Sequence, residues 1–167
     1  MAGPIFVPEN APFSAEQREW LNDFFAKQMA GGGAPAAADG PAVPVTILWG
    51  SQTGNAEGCA KRMAKSLQGG RFEPEVFDLG NYDVAKLGQE KNVLLITSTY
   101  GDGEPPDNAT DFVETLLSDS APKMDGVKFS VLALGDTEYP DFCETGIVID
   151  RRFGELGGER NLRQGRL

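Results

Sequence analysis

Hydroxyl and amide side chains surround a glycine in SQTGNAEG, residues 51–58. Ser51, Thr53 and Asn55 offer donors, and Gly54 lets the backbone come close to a ligand. Gln52 and Ala56 complete the run. The apolar stretch VTILW precedes it at 45–49 and a helical pattern follows. The N–H groups of a helix's first turn therefore face the loop, and such a terminus is a ready anion site. A Walker loop would carry Lys and then Ser or Thr after its last glycine. Here Asn55 and Ala56 follow Gly54, which disfavours triphosphate chemistry and points to one terminal phosphate monoester held by neutral donors. Taken alone, the loop also reads as an ordinary polar turn before a helix.

Two further loops carry a tyrosine among small and acidic residues: Tyr100 in STYGDGEPPDN and Tyr139 in LGDTEYPDFC. A lone loop tyrosine is usually just surface, but two at one edge of a sheet can clamp a flat ring between them. Gly101 and Gly103 suit a loop whose peptides must approach that ring. Asp102, Glu104, Asp107, Asp136, Glu138 and Asp141 surround the place with negative charge. No spacing among them fixes a metal geometry. Their more natural effect is to penalise an anionic reduced ring and so lower its reduction potential.

Several chemistries are excluded by what the chain lacks. It has no histidine, which removes Ser-His-Asp and Cys-His catalysis and weakens any zinc reading. Cys59 and Cys143 stand far apart without CxxC spacing. A net charge of −10 argues against a nucleic-acid backbone as partner and suits docking on a basic protein surface. No apolar run reaches membrane-spanning length and no signal-peptide grammar opens the chain, so the expected compartment is the cytoplasm, away from membranes.

The elements that must position these loops fall into three blocks. Residues 1–30 hold an amphipathic helix, with Ser14 and Gln17 as a capping box and Leu21, Phe24, Phe25 and Met29 on one face beside Trp20. That stripe either packs on its own domain or docks on a partner, including a second copy of the chain. Residues 31–44, GGGAPAAADGPAVP, form a flexible linker. From 45 to 167 strand and helix patterns alternate. Strands are expected at 45–49, 75–79, 92–99 and 127–135, and helices around Ala60–Leu67, Phe112–Leu117 and Cys143–Leu156, the last closed by Gly157-Gly158. Alternation of this kind implies an α/β fold, an open parallel sheet with helices on both faces. In such a sheet ligands sit beyond the carboxyl ends of the strands, and all three informative loops follow strands there.

SQTGNAE, STYGDGEPPDN and LGDTEYPDFCETG together resemble the FMN-binding loops of the flavodoxin-like domain of diflavin reductases. That group includes cytochrome P450 reductase and the flavoprotein subunit of bacterial NADPH–sulfite reductase, and the N-terminal FVPENAPFSAEQREWLNDFF is similar to the segment preceding the domain in the latter. The resemblance implies that Ser51, Gln52, Thr53, Gly54, Asn55 and Ala56 hold the FMN phosphate. It places Ser98, Thr99, Tyr100 and Gly101 against the isoalloxazine, with Tyr100 on one ring face and the Gly101 carbonyl near flavin N5. Leu134, Gly135, Asp136, Thr137, Glu138, Tyr139, Pro140, Asp141, Phe142 and Cys143 line the other side, with Tyr139 stacking. It further implies an electron-transfer module fed by an FAD- and NADPH-binding reductase and discharging to a haem or iron–sulfur protein. Such a module is the electron-carrying part of an oxidoreductase rather than a complete enzyme, and none of its residues acts as a general acid or base. A non-redox interaction module, docking through its helix without retaining FMN, is the alternative.

Two departures from the pattern stand out. Sulfite reductase flavoproteins often carry Gln where this chain has Tyr100. The family also continues past GGER at 157–160 into a fifth strand and a closing helix, whereas this sequence stops at NLRQGRL. The expectation is a truncated piece without its fifth strand. Residues 127–135 would then be an exposed sheet edge unless the N-terminal helix or another chain supplies cover.

Overall fold

The computed structural model describes residues 15–30, 41–68, 70–135, 138, 140–161 and 165–166, with side chains for all of these except 24–30 and 165–166. Helix α1 spans Ala15–Ala30; β1 (Val43–Gly50) leads to α2 (Asn55–Leu67) and β2 (Phe72–Asp78). After a 3-10 turn come β3 (Asn92–Ser98), α3 (Thr110–Leu117), β4 (Lys128–Leu134), α4 (Glu144–Glu155) and two-residue strands β5 (Glu159–Arg160) and β6 (Gly165–Arg166). All strand pairs are parallel, in the order β2-β1-β3-β4-β5, with β6 also on β4. The chain leaves β1 to one side for β2 and returns to its other side for β3. That reversal opens a crevice at the carboxyl ends of β1 and β3, where ligands of such sheets bind.

Strand composition explains the layering. β3 is buried at Asn92–Thr97 and partly buried at Ser98, as an apolar run covered on both faces should be. On one face Phe112, Phe129 and Phe153 are fully enclosed with Leu48, Leu95 and Ile149. The Phe129 and Phe153 rings meet edge-to-face at 5.3 Å. On the other face Ala56, Ala60, Met63 and Leu67 of α2 pack against Ile47, Leu94 and Ile96. Leu21 of α1 is wholly buried in that same cluster with Trp20 beside it, so this part of the N-terminal stripe packs on its own domain. Ser14, expected to cap α1, and residues 31–40 of the expected linker lie outside the described residues. In α3, Phe112, Val113 and Leu116 supply the buried face, while Leu117 is half exposed.

The outer edge of β4 corrects one expectation. Instead of standing open, β4 pairs with β5 through Lys128↔Glu159 and Phe129↔Arg160, and with β6 through Leu132↔Gly165 and Ala133↔Arg166. The reason lies at the end of α4. Gly157 takes a left-handed φ of +97°, its N–H donates to the Gly154 carbonyl at 3.1 Å, and the Gly158 N–H donates to that of Phe153 at 2.9 Å. This double bond pattern ends the helix and turns the chain back along the sheet. Arg160 then locks the return: its Nε lies 3.0 and 3.1 Å from the two carboxylate oxygens of buried Asp150, and its Nη2 lies 2.7 Å from Oδ2. Among the described residues, the fifth position is thus filled at Glu159–Arg160 and Gly165–Arg166.

Candidate functional site

Loop one is fixed by the loop that follows β3. The Ser51 N–H donates to Asn108 Oδ1 at 3.0 Å, and Asn108 Nδ2 donates to Asp78 Oδ1 at 3.1 Å. Gln52 is held twice by Asp107: its Nε2 donates to Oδ2 at 3.0 Å and its Oε1 accepts the Asp107 N–H at 3.1 Å. Ser51 Oγ accepts the Ala56 N–H at 3.3 Å. Gly54 precedes α2 with φ +83° and no side-chain cap. A Cβ there would meet nothing within 4 Å, so the glycine serves the backbone angle and leaves the space before the helix open.

Loop two is a tight hairpin. Tyr100 and Glu104 exchange backbone bonds of 2.8 and 2.9 Å around residues 101–103. Gly101 in its tip has φ +52° with open space where a side chain would stand. The Tyr100 side chain is 52% exposed, an aromatic face offered outward rather than to the core.

Loop three is drawn against loop two by the start of α4. The Thr145 N–H donates to Thr99 Oγ1 at 3.2 Å, and Thr145 Oγ1 donates to the Gly103 carbonyl at 3.5 Å. Cys143 caps α4 with a left-handed φ of 61°, unusual for a residue with a side chain. Its buried Sγ lies 3.4 Å from the Ala133 carbonyl. A Cβ on Gly135 would come within 3.0 Å of both the Cys143 sulfur and the Phe142 ring. Only glycine fits the crossing at that point.

Two adjoining cavities result. The larger, about 580 Å³, is lined by Gln52, Thr53, Gly54, Asn55, Ser98, Thr99, Tyr100, Leu134 and Gly135 of the expected site. The smaller, about 350 Å³, is lined by Thr99, Tyr100, Gly101, Gly135, Asp141, Phe142 and Cys143. Thr99, Tyr100 and Gly135 border both, so Tyr100 stands between them. Ser51 and Ala56 act behind the lining through their mutual bond. Glu138 and Pro140 are exposed and line neither of these two cavities, and Asp136, Thr137 and Tyr139 lie outside the described residues.

Gln17, Gly58, Cys59 and Arg62 also line the larger cavity, although the sequence pattern places none of them at the site. A signal existed: residues 55, 58, 59 and 62 share one helical face. Burial pushes the Cys59 thiol up to about 11, opposed by the Arg62 guanidinium. Cys59 is therefore a protonated, soft wall at neutral pH rather than a nucleophile.

The sequence profile of the family described as flavodoxin matches residues 47–166, well over half of the chain. This chain belongs to the flavodoxin family. Its fold is similar to that of oxidised flavodoxin 1 from Bacillus cereus, with a TM-score of 0.66 and 26% identity over 74% of this chain and 83% of that one. In sequence it is 41% identical to the sulfite reductase [NADPH] flavoprotein alpha-component of Bacillus subtilis over 90% of its length. It is 36% identical to the same component of Shewanella sp. (strain ANA-3) over 97% of its length. The chain spans only 29% of the length of each of these two relatives.

Family membership makes FMN the cofactor, and the residues present fit it. Neutral donors gather at a helix terminus whose N-cap residue, Gly54, has no capping side chain, where a phosphate monoester belongs. The larger cavity falls within the roughly 300–1,000 Å³ usual for small-ligand sites. The open sides of Gly54 and Gly101 leave room at both ends.

Proposed function

We propose that this flavodoxin domain is an FMN-binding electron-transfer module of the sulfite reductase flavoprotein type. It takes electrons from an FAD- and NADPH-binding reductase and passes them singly to a haem or iron–sulfur acceptor. The observation that carries this reading is the convergence of the loops after β1, β3 and β4 on one pair of cavities, in a chain so similar to sulfite reductase flavoproteins.

Bound FMN supplies the one-electron chemistry; the protein holds it, orients it and sets its surroundings. Thr53, Gly54 and Asn55 receive the phosphate, while Gln52 and Ser51 keep that loop in place through Asp107 and Asn108. Tyr100 covers one side of the ring, with Phe142 and, by resemblance, Tyr139 toward the other. Exposure of Tyr100 leaves the ring edge near the surface, where an acceptor can approach. Asp102, Glu104 and Asp141 make extra negative charge on the ring costly. No described helix is long and apolar enough to cross a membrane, in keeping with work in the cytoplasm. Residues 1–30 serve as an appended helix, part of whose apolar stripe rests on the domain itself, with the linker ending before β1 at Val43.

The test is electron delivery. The FMN-loaded protein is photoreduced and mixed anaerobically with a haem protein such as cytochrome c. Reduction of the haem in proportion to the electrons loaded supports the module. A loaded, reduced protein that leaves the haem oxidised refutes electron transfer. The rival reading, a non-redox interaction module, drew its support from the missing fifth strand; pairing of β5 and β6 on β4 weakens it.

A further inference from the structure

The phosphate loop carries no cation, yet one reaches the cavity from farther along α2. A Cβ built on Gly58 would lie 3.3 Å from an Arg62 Nη nitrogen and 3.9 Å from its Cζ. The guanidinium therefore lies back over Gly58, toward the start of the helix, and both residues line the larger cavity beside Gly54 and Asn55. Arg62 is one turn beyond Gly58, so its stem spans the turn that separates it from the loop. A single methyl at 58 would press on the guanidinium, and a long side chain there would compete for the space where it rests.

The electrostatic setting gives this arrangement a purpose. The chain carries a net charge of −10, a field that opposes entry of a phosphorylated ligand. Glu57, in the first turn, is ion-paired with Lys61 and so adds little net charge of either sign. Arg62 is the cation that lines the cavity itself. Its planar fork suits phosphate better than a lysine would.

We propose that Arg62, admitted by Gly58, contacts the FMN phosphate and makes the site select phosphorylated flavin over riboflavin. This rests on the FMN reading above. Arg62 is a ligand-selecting residue; the electron-transfer chemistry does not involve it. Because the side chain is exposed, its effect is screened by salt.

The experiment titrates the purified protein with FMN and with riboflavin by fluorescence quenching, comparing wild type, Arg62→Met and Arg62→Lys at low and high salt. Arg62→Met is expected to weaken FMN about tenfold at low salt while riboflavin affinity stays the same, with Arg62→Lys between. The FMN loss should shrink as salt rises. Gly58→Leu, which keeps the arginine but fills its resting place, should reproduce the loss, with circular dichroism confirming the fold of each variant. An unchanged FMN-to-riboflavin ratio in Arg62→Met overturns the proposal while leaving FMN binding intact. Equal weakening of both flavins overturns it too, by making the arginine merely structural. A wild-type protein that binds neither flavin refutes the FMN reading itself.

Discussion

The two ends of the cavity are braced to different degrees. At the phosphate end, loop one is tied to a neighbouring loop by three hydrogen bonds of 3.0–3.1 Å, one between Ser51 and Asn108 and two between Gln52 and Asp107. Its key backbone angle is set by a glycine whose side faces open space. The ring end is a three-residue hairpin closed by its own two backbone bonds and tied to the start of α4 by the longer bonds from Thr145 to Thr99 and Gly103, with a half-exposed tyrosine at its base. One end is preorganised before any ligand arrives, so less ordering cost opposes binding there. The other is shaped to present an aromatic face to solvent. The contrast divides the work: the phosphate end supplies affinity and selects what enters, while the ring end governs exposure and electron exchange.

The largest effect should come from breaking the preorganised end. Gly54→Val forces a β-branched residue into φ +83°, which costs roughly 1–2 kcal/mol in strain and misdirects the helix-terminal donors as well. FMN affinity should fall about 100-fold by fluorescence titration, with riboflavin much less affected. Asn108→Ala, outside the cavity, removes a partner of both Ser51 and Asp78. Asp78 keeps the Gly80 N–H, but leaving the Ser51 N–H unpaired costs roughly 1–3 kcal/mol, and FMN should weaken about tenfold while riboflavin again changes little. If Asn108→Ala weakens both flavins alike, the division between the two ends is wrong.

Tyr100→Ala probes the other end. Loss of ring contact worth roughly 0.5–1.5 kcal/mol should weaken FMN and riboflavin equally, by about fivefold. The mid-point potential of the bound flavin should shift as well, which the phosphate-end variants should not cause. The smallest effect concerns pH. Burial pushes the Cys59 thiol from 9.0 to about 11. Burial, with its bond to Glu90, also drives the Tyr82 phenol well above its usual range. Both groups ionise in the unfolded chain at lower pH than in the folded one. Stability present below pH 9 should therefore decline as pH rises toward about 11, read as a falling urea midpoint. Cys59→Ala should flatten the earlier part of that decline.

Much of this contrast was legible in the residues. The three loops announce themselves because glycine, hydroxyl and tyrosine placement follows each strand end, and the strand patterns are strong enough to locate those ends. The bracing of loop one was not legible. Gln52 meets Asp107 and Ser51 meets Asn108 across 55 and 57 residues of sequence, and only the β1–β3 adjacency brings them together. Arg62 escaped for a different reason: a charged residue on a helix reads as a solvated face unless the glycine one turn earlier is read as room for it. β5 and β6 escaped because two residues show no period. Their placement depends on the turn at Gly157 and on the Arg160–Asp150 pair, neither of which leaves a strand pattern.

The most direct measurement is an FMN titration of the purified protein, followed by flavin fluorescence and visible absorption. The account predicts stoichiometric quenching at one FMN per chain and a yellow, two-banded spectrum that survives desalting. A protein that is folded by circular dichroism, yet stays colourless and leaves FMN fully fluorescent at large excess, would contradict it.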